Sequence, residues 1–280
     1  MAYQTIEVRK LNPVIGAEIG GVDLSKPLGN QQFQEIHDAW MENLVIFFRD
    51  QHLSVEQHIA FGRRFGPLHI HPAAHLPDGH PEILEIKADE NSRHVAGEEW
   101  HTDVSCDVEP PMGSILYLHE VPPEGGGDTM FANMYRAYET LSEGMRRMLD
   151  GLVVVNSSAK ADVTRTREDR VRDSAKNDAR QEYVAEHPVV RTHPETGRKA
   201  LYANGGHALR FRDMTVEESA PLLSYLFSHA TRPEFTCRFR WEVGSIALWD
   251  NRCTQHNPVN DYHGFRRVMH RVTLKGDVPR

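Results

Sequence analysis

Short runs rich in β-branched and aromatic residues dominate this chain, and a few longer stretches carry apolar positions every three to four residues. The short runs predict strands at Thr5–Arg9, Leu44–Phe48, Glu82–Lys87, Gly113–His119 and Leu152–Asn156. Further strands are predicted at Pro188–Thr192, Lys199–Ala203, Glu234–Trp241, Ser245–Trp249 and Arg267–Lys275. The longer period predicts helices over Gln31–Glu42, Val55–Phe65, Ala137–Asp150 and Val216–Ala230. Ser54 with Gln57, and Thr215 with Glu218, have the spacing of capping boxes and mark two helix starts. Many strands and few helices predict an α+β chain with a β-sandwich or barrel core and helices packed outside. The pattern alone does not choose between sandwich and barrel. Residues 160–186 are charge-rich and poorly periodic, which fits a mobile lid or a solvated helix.

Composition narrows the class of partner. The chain has 280 residues, with no internal repeat and no linker to divide it, so one domain over 1–280 is expected. Its formal charge of −8 argues against a nucleic-acid partner, which would call for a basic stripe. No apolar run approaches the roughly 18 residues of a membrane span, and the first residues lack the layout of a secretory signal. Three cysteines with no C-x-x-C spacing fit a reducing cytoplasm better than a disulfide framework.

Candidate chemistry centres on Glu98-Glu99-Trp100-His101-Thr102-Asp103, read together with His256. Two imidazoles and one carboxylate cover one face of a divalent metal and leave its other positions open. On a strand, His101 and Asp103 would point the same way with Cα atoms roughly 6.6 Å apart. A lone H-x-D occurs often by chance. Near the C-terminus, Arg267, Met269 and Arg271 would share one strand face, with Val268, His270 and Val272 on the other. The two arginines would stand roughly 13 Å apart. If that face lines a cavity, each planar guanidinium can grip a separate carboxylate or sulfonate. Two surface arginines would produce the same pattern.

The ordered motifs WHTD (100–103), GGDT (126–129), HPVVRTHPETG (187–197), WDNR (249–252), TQH (254–256) and RRVMHR (266–271) decide between these readings. With VIGAEIGGVDLSKPL near the start and GDVP at the end, they make nearly the whole chain resemble the TauD/TfdA family of Fe(II)- and 2-oxoglutarate-dependent dioxygenases. The resemblance implies a double-stranded β-helix, or jelly roll, with helices outside. It implies His101, Asp103 and His256 as iron ligands, and Thr129 and Arg267 as the seat of the distal carboxylate of 2-oxoglutarate. Arg271 and His71 would anchor an anionic substrate, and Trp249 would wall the metal. Dioxygen is the further co-substrate, succinate and carbon dioxide the co-products. A cytoplasmic homodimer or homotetramer is expected by the same resemblance.

Several positions depart from the family's taurine-specific members. Ala74 stands where they have tyrosine, Gly97 where they have asparagine, and His207 where they have phenylalanine. Their aromatic wall gives way to polar residues near Ala161–Asp162. Each change removes bulk or a donor that would hold a small amino-sulfonate. The expected substrate is therefore another small organic anion: an alkylsulfonate, an alkyl sulfate ester or an aryloxyalkanoate. Gly125-Gly126-Gly127 also holds one glycine more than the family pattern, which lengthens the loop before Thr129. Two rival readings remain. One is a zinc hydrolase built on His69, His71 and His75, an H-x-H-x-x-x-H cluster. The other is a non-catalytic β-barrel that binds anions.

Overall fold

The computed structural model describes residues 3–70, 79–92, 97, 99–160 and 182–280. The chain opens with β1 (Glu7–Lys10), β2 (Ala17–Gly20), α1 (Asn30–Asn43), β3 (Val45–Phe48) and α2 (Val55–Arg63). It continues through β4 (Leu68–His69), β5 (Ile83–Ala88), β6 (Gly113–Glu120) and β7 (Thr129–Asn133). Helices α3 (Met134–Glu139) and α4 (Glu143–Leu149) follow, then β8 (Val153–Ser157), β9 (Val184–Pro188), β10 (Val190–Thr192), β11 (Lys199–Leu201) and β12 (Ala208–Phe211). Helix α5 (Val216–Ala230) leads to β13 (Thr236–Phe239), β14 (Ile246–Asp250), β15 (Thr254–Pro258) and β16 (Arg267–Leu274).

Eight strands form one sheet in the order β1-β2-β3-β14-β6-β16-β4, with β5 paired to β16. Its central strands β3, β14 and β6 are buried on both faces, and strand alternation sorts the side chains between them. Val45, Phe47, Leu116, Leu118, Ala247, Trp249 and Met269 enter a core shared with Phe131, Ala132, Cys237 and Phe239 of the three-stranded sheet β13-β7-β15. Phe47 stacks on Phe239 across that gap, with centroids 3.9 Å apart. The intervening residues Ile46, Phe48, Ile115, Tyr117, Ile246, Leu248 and Val272 face the other way, against Ile36, Ala39 and Trp40 of α1 and Ile59 and Phe61 of α2. The outcome is two facing sheets with helices packed outside, as a jelly roll requires. A second three-stranded sheet, β12-β8-β9, and the pair β10-β11 add Val154, Ala208, Phe211, Ala200 and Leu201 to the same core.

Both expected capping boxes form, at Ser54 with Gln57 and at Thr215 with Glu218. The expected helix over Ala137–Asp150 is two helices, because the Ser142 side chain accepts from the Met145 amide and starts a new one. The expected strand Glu234–Trp241 begins only at Thr236, since Pro233–Phe235 forms a 3-10 turn. Pro188–Thr192 divides between β9 and β10. Of the charge-rich segment 160–186, residues 161–181 lie outside the described residues, and Val184–Glu186 belongs to a strand. Among the described residues no helix is long and apolar enough to cross a membrane.

Candidate metal centre

His256 projects from β15, which pairs with β7 in the smaller facing sheet. His101 meets it outside any regular strand: the two residues exchange backbone bonds, His101 N to His256 O at 3.0 Å and His256 N to His101 O at 2.8 Å. Asp103 lies in the turn that follows, before Val104 with a positive φ of 48°. The expected strand from His101 to Asp103 is thus a single bridge and a turn. Burial of the Thr102 hydroxyl, which donates to Thr254 O at 2.9 Å, fixes that turn against β15.

The three side chains converge. His101 Nε2 and His256 Nε2 lie 3.8 and 4.0 Å from Asp103 Oδ1, and all three ligand atoms fall within 4.8 Å of one another. That is close to the reach of one ion with bonds of about 2.1 Å. His101 Nδ1 is 2.7 Å from the Glu99 carbonyl, which places the ring proton there and leaves the Nε2 lone pair free. Burial pushes both imidazoles below their usual pKa, keeping them neutral as metal binding needs. Burial also pushes the Asp103 carboxyl up, but the Arg271 guanidinium beside it, the two imidazoles and the Ser114 hydroxyl together hold it well below the usual range. The aromatic walls are Trp249, with its ring 4.8 Å from that of His256, and Phe131 at 6.1 Å. Two neutral nitrogens and one ionised oxygen suit Fe(II).

The two arginines leave β16 on the face of Met269, toward the inner core. Arg267 is buried; its NH2 group donates to Gly127 O at 2.8 Å, while its Nε has no hydrogen-bond partner among the described residues. Gly127 has a φ of +66°, and a Cβ there would lie 2.8 Å from Arg267 Nε, so the extra glycine admits the guanidinium. Thr129 is buried nearby, accepting from Trp241 Nε1 at 2.9 Å, and Arg267 lies 6.0 Å from that indole ring. An orphaned guanidinium N–H beside a buried hydroxyl suits a carboxylate such as that of 2-oxoglutarate. Arg271 NH1 donates to Asp103 Oδ1 at 2.8 Å, and its Nε also has no hydrogen-bond partner among the described residues.

His207 is buried beside His101 and is pushed down to about 3, chiefly by burial and then by that imidazole. Gly97 packs on His101, where a Cβ would come within 2.5 Å of Cε1. His71, His75 and Ala74 lie outside the described residues. His69 is in β4, with Nε2 3.9 Å from Asp107 Oδ2, and is not one of the three converging ligands. Sequence reasoning did not find Ser114, whose hydroxyl donates to Asp103 Oδ2 at 2.7 Å. A serine in an apolar strand carries no sequence signal for such a role.

Comparison with known proteins bears on this geometry. Residues 7–273 match the family described as taurine catabolism dioxygenase TauD, TfdA family. The chain belongs to this family. It is therefore a dioxygenase of the oxidoreductase class, with Fe(II), 2-oxoglutarate and dioxygen as its cofactor and co-substrates. An alkylsulfatase of Acinetobacter baylyi is 39% identical over 98% of this chain and 86% of its own length. An α-ketoglutarate-dependent sulfate ester dioxygenase of Pseudomonas putida is 38% identical over 98% of this chain and 91% of its own. The crystal structure of a taurine dioxygenase from Burkholderia xenovorans superposes with a TM-score of 0.83 at 40% identity, covering 99% of this chain and 91% of that one. Neither the zinc hydrolase nor the non-catalytic barrel gains support from these matches.

Proposed function

We propose that this dioxygenase hydroxylates a small organic anion, with an alkyl sulfate ester as first choice and an alkylsulfonate or aryloxyalkanoate behind it. The convergence of His101 Nε2, Asp103 Oδ1 and His256 Nε2 between the sheets carries the reading. The two sulfate-ester relatives, each aligned over 98% of the chain, support the substrate order.

In this reading His101, Asp103 and His256 hold the metal. Thr129 and Arg267 seat the distal carboxylate of 2-oxoglutarate, Arg267 through its unpartnered Nε. Arg271 draws the substrate anion toward the metal, and His71 completes that anchor. Fe(II) with 2-oxoglutarate and dioxygen supplies the oxidising power for an unactivated C–H bond. Trp249 and Phe131 line the His256 side and keep water from it. Hydroxylation at the carbon bearing the ester oxygen gives a product that collapses to an aldehyde and inorganic sulfate. Gly97 weighs against a taurine-like pocket, because a side chain at that position cannot enter without displacing His101. The proposal includes a cytoplasmic homodimer or homotetramer; the three cysteines, all buried and none in a disulfide, agree with a reducing compartment.

The test measures succinate, aldehyde and sulfate with Fe(II), 2-oxoglutarate and a panel of hexyl sulfate, hexanesulfonate, phenoxyacetate and taurine. Equimolar succinate, aldehyde and sulfate from hexyl sulfate is expected. Sulfate release that needs zinc and ignores 2-oxoglutarate would sink the proposal.

A further inference from the structure

Asn251, in the middle of the WDNR motif, has no task in the reading so far. It follows β14 and is completely buried. Its Oδ1 accepts from Trp249 Nε1 at 2.9 Å and from the Asp103 amide at 3.4 Å. Its Nδ2 is 3.4 Å from both Asp103 Oδ2 and Ser114 Oγ. Ser114 is equally buried on β6, next to β14, and gives its single hydroxyl proton to Asp103 Oδ2 at 2.7 Å.

The two oxygens of Asp103 therefore stand in different surroundings. Oδ2 meets neutral donors from two adjacent elements. Oδ1 faces both imidazoles and Arg271. We propose that Ser114 and Asn251 are positioning residues that tie down Asp103 Oδ2, so that the carboxylate offers the metal one oxygen only. The inference rests on the metal-centred reading above. A carboxylate free to turn can chelate with both oxygens. That would occupy a coordination position that 2-oxoglutarate or dioxygen needs, since three single-atom ligands leave three of six places open. Asn251 also holds the Asp103 backbone, so carboxylate and main chain are fixed together.

Mn(II) bound to the full chain without 2-oxoglutarate provides the test, because broadening of its EPR lines in 17O-enriched water counts the coordinated waters. Three waters are expected on the wild-type protein. Ser114→Ala, which deletes one atom, should leave two waters and raise the Mn(II) Kd roughly 10- to 100-fold. Asn251→Ala should shift both in the same direction. Three waters and an unchanged Kd in Ser114→Ala would overturn the proposal, as would a lower Tm with both Mn(II) signals unmoved. A wild-type protein that binds no Mn(II) would remove the metal-centred reading itself, which is a distinct failure.

Discussion

Two buried triads of ligand-type side chains flank the turn between β14 and β15, and they differ in one respect that matters. His101, Asp103 and His256 present their ligand atoms to a common point, and the His101–Asp103 and His256–Asp103 separations of 3.8 and 4.0 Å exceed hydrogen-bond length. His193, Asp250 and Cys253 are gathered as closely. There every polar atom of the histidine and the acid is engaged. His193 Nδ1 accepts the amides of Glu195 and Thr196 at 3.2 and 3.1 Å, so its proton sits on Nε2, 2.9 Å from Asp250 Oδ2. Arg252 grips both oxygens of Asp250 at 2.8 Å and reaches Glu195 at 2.6 Å. Glu195 in turn lies 3.0 Å from His37 Nε2 on α1. The second triad is a closed network that ties the turn to the helical layer, while the first holds the Nε2 atoms of both imidazoles beyond hydrogen-bond length of Asp103, whose own oxygens accept from Arg271, Ser114 and Asn251. Clustering alone does not make a metal site; uncommitted donors do.

The contrast can be tested by removing the acid from each triad. Asp103→Ala should have the largest effect on the metal, abolishing both the thermal stabilisation by Mn(II) and substrate-dependent succinate formation. Retained activity would show that the ligand assignment is wrong. Asp250→Ala should leave the buried Arg252 without its main partner and cost on the order of 3–5 kcal/mol in urea unfolding. Its Mn(II) Kd at low temperature should stay within about threefold of wild type, and complete loss of metal affinity in the folded variant would erase the distinction between the triads. Gly206→Ala should have the smallest effect. A Cβ there would lie 2.8 Å from His101 Cβ, so the imidazole must shift. A rise in Mn(II) Kd of roughly tenfold, with little change in Tm, is expected from isothermal titration and thermal melts.

The same comparison explains which parts of the molecule sequence patterns reveal. Strands of the larger sheet, such as Val45–Phe48 and Ile246–Asp250, are buried on both faces and read as continuous apolar runs. The strands nearest the site escaped notice. Thr254–Pro258 buries threonine, glutamine and histidine, and Thr129–Asn133 begins and ends with buried polar residues. Polar chemistry inside the sandwich replaces the alternation that marks a strand. His101 and Asp103 are spaced as on a strand, yet a bridge to His256 and a turn bring them together.

From the sequence alone, the ordered motifs determine the family, the metal-ligand candidates and the two arginines that share one strand face, because residue type and period are local properties. Tertiary structure alone decides which of two similar triads is open. The partners that close one and orient the other, among them Arg252, Glu195, Ser114 and Asn251, come from strands and turns far apart in the chain. A hydrogen bond can use up a donor only when the fold brings its partner near.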